Sequence, residues 1–155
     1  MPDTLLIPSL KVILIEDSKL LQELLTGTLS ELEDVELCCI AESESEALEK
    51  MAETQIDLAI IDIQLKEGSG IGILAALQAA PRRFGTPRKV VLTNFAHATM
   101  RQRCENLGMD AFFDKSLHIV QLIDYLTAAA EHKKIHFEAR ESDRNTHPDR
   151  DSGTR

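Results

Sequence analysis

The residues of this 155-residue chain best able to do chemistry sit at the ends of short apolar runs. Glu16 and Asp17 follow VILI, Asp62 follows LAII, Thr93 follows VVL, and Lys115 comes directly after AFFD. These are three carboxylates, a hydroxyl and an ammonium. Three carboxylates held close together raise one another's pKa unless a cation intervenes. A hard divalent ion such as Mg2+ meets that need, because it prefers oxygen ligands and is commonly held by one or two carboxylates plus phosphate oxygens. The ion and Lys115 would together neutralise the oxygens of a transferring phosphoryl group, with the Thr93 hydroxyl donating a hydrogen bond to one of them. A carboxylate is also a competent nucleophile toward phosphorus, which makes Asp62 the candidate acceptor.

Such a set works only if the fold gathers it. The runs at 11–16, 35–41, 58–62, 89–93 and 111–113 are short, apolar and rich in β-branched residues, and each reads as a buried strand. Helical segments alternate with them. The helix from 19 to 32 presents Leu21, Leu24, Leu25, Thr28 and Leu32 on one face, with Asp17 or Ser18 as cap. Ser43 and Glu46 form a capping box before Ala47, Leu48, Met51 and Ala52. A third helix runs from about 70 to Pro81, a fourth over 97–107 closes at Gly108, and a fifth starts near Leu117 with Ser116 as cap and ends near 133. Five βα units in alternation predict a doubly wound α/β fold with a five-stranded parallel sheet. With strand order 2-1-3-4-5, all five reactive groups converge on one sheet edge, where open sheets of this kind bind ligands. Residues 1–10 read as an extension, 11–132 as the domain, and 133–155 as a polar, mobile tail.

Composition excludes several alternatives. The chain is 43% hydrophobic and 28% charged, as in an ordinary soluble globule. Residues 1–132 carry 11 basic and 21 acidic side chains, so the field of the folded part repels nucleic acid. No apolar run approaches the ~20 residues of a membrane helix, and the first residues lack the pattern of a secretory signal, so the expected location is the cytoplasm. Cys38, Cys39 and Cys104 are an odd count read as reduced thiols. Adjacent strand residues face opposite ways, so Cys38 and Cys39 are not expected to share a ligand.

The segments VILIED, LAIIDIQLKEGSG, VVLTN and FFDKS resemble the signature segments of response-regulator receiver domains of two-component signalling, across roughly residues 11–131. The resemblance implies a flavodoxin-like (βα)5 fold and a stand-alone receiver, with Asp62 accepting a phosphoryl group from a histidine kinase or phosphotransfer protein. It implies Mg2+ held by Asp17, Asp62 and the backbone carbonyl of Gln64, with Glu16 acting through water. It assigns Thr93 as switch hydroxyl, Lys115 as the family's lysine and Phe112 as switch aromatic. Such a chain would be no enzyme beyond its own phosphorylation and dephosphorylation at Asp62, and would signal to a protein partner without touching DNA.

Departures from the pattern are Lys66 and Ser116 where the family commonly has proline, and Asn94 where it has a smaller residue. A trans Lys115–Ser116 bond is the expectation, because a non-proline cis bond costs ~3 kcal/mol. Taken singly, each reactive residue also has an ordinary account: a helix cap for Asp17, a turn for Asp62, a solvated charge for Lys115. Gly68, Gly70 and Gly72 miss the dinucleotide spacing, and His132 with His136 falls where the fifth helix is expected to fray. Two rival functions stay open: a constitutive adaptor that is not phosphorylated, and a Mg-dependent phosphatase, whose usual D-x-D after the first strand is missing here. The fifth helix carries two apolar stripes, Ile119, Ile123, Leu126, Ala130 and Leu122, Tyr125, Ala129. This surplus suggests a partner, or a homodimer through the fourth helix, fifth strand and fifth helix.

Overall fold

Three central runs rich in buried aliphatic residues, flanked by two half-buried runs, pair side by side because parallel strands covered on both faces need apolar side chains on both. The computed structural model describes residues 8–146. The strands are β1 (Leu10–Ile15), β2 (Val35–Ala41), β3 (Leu58–Ile61), β4 (Arg88–Thr93) and β5 (Ala111–Asp114). They form one parallel sheet in the order β2-β1-β3-β4-β5, as expected. The helices are α1 (Lys19–Ser30), α2 (Glu44–Glu53), α3 (Gly70–Ala79), α4 (Pro81–Phe84), α5 (Ala98–Asn106) and α6 (Ile119–Thr146).

Alternation along each strand divides the core. Ile13 and Ile15 pack with Ala47 and Met51 of α2 and with Ile73, Leu74 and Leu77 of α3, while Val12 and Leu14 face Leu25 and Leu29 of α1 and Leu122 and Leu126 of α6. The surplus apolar surface of α6 is thus largely consumed within the chain: Leu122, Leu126, Ala129 and Ala130 are all buried. Truncating a fully buried leucine such as Leu126 to alanine costs about 3 kcal/mol.

Several local expectations are corrected. In α1 the buried positions are Gln22, Leu25 and Leu29, whereas Leu24 is 56% exposed. Five leucines at closely spaced positions in α1 define two overlapping stripes, and the one turned inward also carries Gln22, whose side chain finds a hydrogen-bond partner there. Ser116 does not cap α6; its hydroxyl bonds to Asp114 Oδ1 at 2.6 Å, and the helix begins at Ile119. Pro81 ends α3 as expected but also opens the short helix α4, which the sequence reading lacked. Cys38 and Cys39 lie on the same sheet face. Between Val12/Leu37 and Ile13/Cys39 the β1–β2 register slips by one, so Cys38 is the extra residue of a bulge.

The largest difference is at the C-terminal side. Residues 133–146 continue α6, giving 28 helical residues and a length of about 42 Å. Two features go with it: no proline or glycine lies between Gly108 and Thr146, and Lys133 Nζ donates to Ser9 O at 2.8 Å and to Asp57 Oδ2 at 2.7 Å. His132 and His136 therefore lie on regular helix, their rings stacked at 6.1 Å. Residues 147–155, the rest of the predicted tail, lie outside the described residues. Lys133→Met is expected to cost about 1 kcal/mol in urea unfolding and to speed amide exchange beyond residue 133, since the ion pair is only partly desolvated.

Candidate functional site

The strand ends are joined by hydrogen bonds that carry the ladder one residue beyond the strands. Glu16 N–H donates to Ala41 O at 2.9 Å and Asp62 N–H to Ile15 O at 3.0 Å. Glu16 and Asp62 therefore leave adjacent strands side by side. Lys115 is set from the other side, its N–H donating to Thr93 O at 3.0 Å. Its ammonium lies 2.8 Å from Asp62 Oδ2 and 2.5 Å from Glu16 Oε1. Glu16, Asp17 and Asp62 each offer a carboxylate oxygen, and those three atoms lie within 4.8 Å of one another.

Burial makes this cluster expensive. Glu16 is 2% exposed and Asp62 5%. Burial pushes the Glu16 carboxyl above its usual range, only partly opposed by Lys115, and the nearby Asp62 charge adds to the rise. Burial also works against the Lys115 charge, but Asp62 and Glu16 more than offset it and hold the ammonium above the ordinary lysine range. One cation thus faces three carboxylates. Glu16 Oε1 touches the ammonium as an ion pair yet has no aligned hydrogen-bond donor, which leaves a buried, underserved oxygen. An all-oxygen donor set with surplus negative charge and such an atom fits a hard divalent cation.

The remaining candidates surround this cluster. Gln64 N–H donates to Asp62 Oδ1 at 3.2 Å, and a bridge between Gln64 and Ser69 folds the 63–69 loop back beside Asp62. Thr93 is fully buried, one register step beyond Asp62, and its Oγ1 accepts from Phe95 N–H at 3.1 Å through a lone pair, not the hydroxyl proton. Phe112 pairs with Val91, is half-buried, and carries the Arg101 guanidinium 5.7 Å above its ring. It packs on the α2–α3 face while Phe113 packs on the other, edge-on to Tyr125. The Lys115–Ser116 bond is trans, as expected. Ser116 N–H donates to Asp114 Oδ1 at 2.8 Å, a bond that proline could not make.

Three positioning contacts were not read from the sequence. Gln22 Nε2 donates to the Glu16 carbonyl at 2.6 Å, Ser18 N–H to Glu16 Oε2 at 3.1 Å, and Lys66 N–H to Asp17 Oδ2 at 2.8 Å. The Gln22 signal was available as a polar residue at i+3 and i+7 spacing from Leu25 and Leu29. The Lys66 contact joins residues 49 apart in sequence and had no local signal.

A family model for the response regulator receiver domain matches residues 12–127. The chain belongs to this family. A protein-glutamate methylesterase/protein-glutamine glutaminase of a Nocardioides species is 31% identical over 94 residues, which are 61% of this chain and 24% of that protein. The receiver chain spans between about a quarter and a third of the length of the curated relatives it matches. Among solved structures, a Burkholderia pseudomallei response regulator with a phosphorylated aspartic acid, calcium ion and citrate superposes with TM-score 0.65 at 19% identity, covering 89% of this chain and 75% of that one. The CheX-CheY-BeF3-Mg2+ complex from Borrelia burgdorferi gives TM-score 0.69 at 19% identity, covering 78% and 89%. These likenesses carry the fold. Among the described residues no helix is long and apolar enough to cross a membrane.

Proposed function

We propose that this receiver domain accepts a phosphoryl group on Asp62 from a histidine kinase or phosphotransfer protein and passes the change of state to a protein partner. The observation that carries the reading is the Lys115 ammonium placed against both Asp62 and Glu16, with Asp17 completing an oxygen-lined cluster. In the transfer, an Asp62 carboxylate oxygen attacks phosphorus, the bond from phosphorus to the donor imidazole nitrogen breaks, and that nitrogen keeps the electron pair. Asp17, Asp62 and the Gln64 carbonyl, with Glu16 through water, would hold Mg2+, which supplies charge neutralisation to the phosphoryl oxygens. Lys115 is already beside Asp62 Oδ2 and needs no large movement to meet a phosphoryl oxygen. The Thr93 hydroxyl donates once its oxygen turns toward the new charge, and the space it leaves admits Phe112.

Phosphorylation of an aspartate in the Burkholderia relative, and the beryllofluoride and Mg2+ in the Borrelia complex, support the reading by likeness of fold. The output side is proposed to include Phe95, just after β4, and Leu117 and Val120, just after β5, which are 44%, 72% and 70% exposed, and to serve either a second copy or another protein. The 5% exposure of Asp62 favours the adaptor as second reading, since a donor has little surface to reach. Incubation with Mg2+ and a small acyl phosphate separates the cases: one slowly lost label per chain for the receiver, none for the adaptor, rapid turnover for a phosphatase. Lys115→Met is expected to slow labelling by about 10²-fold, measured as the rate at saturating donor.

A further inference from the structure

The bulge in β2 creates a paired-thiol site that the phosphoryl chemistry does not use. Along β2 the side chains of Leu37 and Ile40 pack on the α1–α6 face, whereas Cys38 and Cys39 both pack on the α2–α3 face. Neither thiol is sealed from solvent; both are half-buried and reduced. Their sulfurs are 3.7 Å apart. A tetrahedral centre with metal–sulfur bonds of about 2.3 Å sets two sulfurs about 3.8 Å apart, so the pair already has chelating separation. A disulfide is a poorer fit: it needs sulfurs at about 2.05 Å and prefers Cα atoms farther apart than the ~3.8 Å of neighbouring residues. The bond from the Cys38 thiol to Val12 O at 3.3 Å explains one cysteine as a filler of the bulge, but not the second.

We propose that Cys38 and Cys39 together chelate a soft divalent cation of the zinc class as a dithiolate. Thiolate ligands select such ions over Mg2+, so this site and the carboxylate cluster would discriminate by ligand softness. Among the described residues no third histidine, cysteine, aspartate or glutamate completes the pair, so water fills the remaining positions. Burial, together with the Cys39 thiol, pushes the Cys38 thiol up to about 12, so Cys38 must lose its proton to bind. Binding forms two metal–sulfur bonds and releases two protons to solvent, with no change of oxidation state. The affinity is therefore below that of a closed four-ligand site.

The test is titration of the reduced full chain with Cd2+ in excess Mg2+, which keeps the carboxylates occupied. Expected are ultraviolet sulfur-to-cadmium charge-transfer absorption saturating at one equivalent, displacement by Zn2+, and at least about tenfold weaker binding in Cys38→Ser and in Cys39→Ser but not in Cys104→Ser. A second measurement needs no variant: Zn2+ should slow alkylation of Cys38 and Cys39 together, read by peptide mass spectrometry, without slowing Cys104. No charge-transfer absorption, unchanged binding in either serine variant, or equal alkylation with and without Zn2+ would overturn the proposal.

Discussion

Asp62→Asn is expected to abolish labelling by acyl phosphate, with a fall of at least about 10³-fold in rate. The amide is nearly isosteric but is no nucleophile toward phosphorus, and no neighbour can substitute for it. Glu16 is 2% exposed and tied by Ser18 N–H and the Lys115 ammonium, while Asp17 is held by Lys66 N–H. Neither is free to take Asp62's position. Stability should change by no more than about 1 kcal/mol, because a lost ion pair with Lys115 is offset by relief of repulsion from Glu16. Intact mass after incubation gives the label, and hydroxylamine release identifies an acyl phosphate. A variant labelled at the wild-type rate would remove Asp62 from the reaction.

Gly70→Ala should damage both fold and site. A Cβ at Gly70 would fall 2.4 Å from the Asp62 carbonyl oxygen and 2.8 Å from Ile63 Cα, both backbone atoms that cannot swing aside. Gly70 N–H also donates to Ile63 O at 2.9 Å, so the start of α3 is pressed directly against the chain leaving Asp62. Relief requires moving one or the other, at about 2–4 kcal/mol in unfolding free energy and about tenfold or more in labelling rate. Gly72→Ala is the control. Its Cβ would meet only the Glu44 carboxylate, a flexible group, and an alanine inside a helix recovers about 0.5–1 kcal/mol of backbone entropy. Urea midpoints for the two variants should therefore separate clearly; equal midpoints would refute the close approach.

Much of this molecule was legible locally. The five strands, their alternation with helices, the caps at Ser18 and Ser43 and the left-handed Gly108 (φ 84°) all follow from period, capping chemistry and breakers within a few residues. So does the gathering of Glu16, Asp17, Asp62, Thr93 and Lys115, because parallel strands joined by helices must deliver all their carboxyl ends to one edge. Residue types at strand ends were thus enough to define the candidate site. What escaped the sequence has a common cause. The Lys66 grip on Asp17, the bulge that sets Cys38 beside Cys39, and the anchoring of α6 at Lys133 each depend on a partner distant in the chain. Pattern within one segment determines which element forms and which residues end it; the orientation of that element, its register and its length are settled by contacts that exist only once the sheet has closed around them.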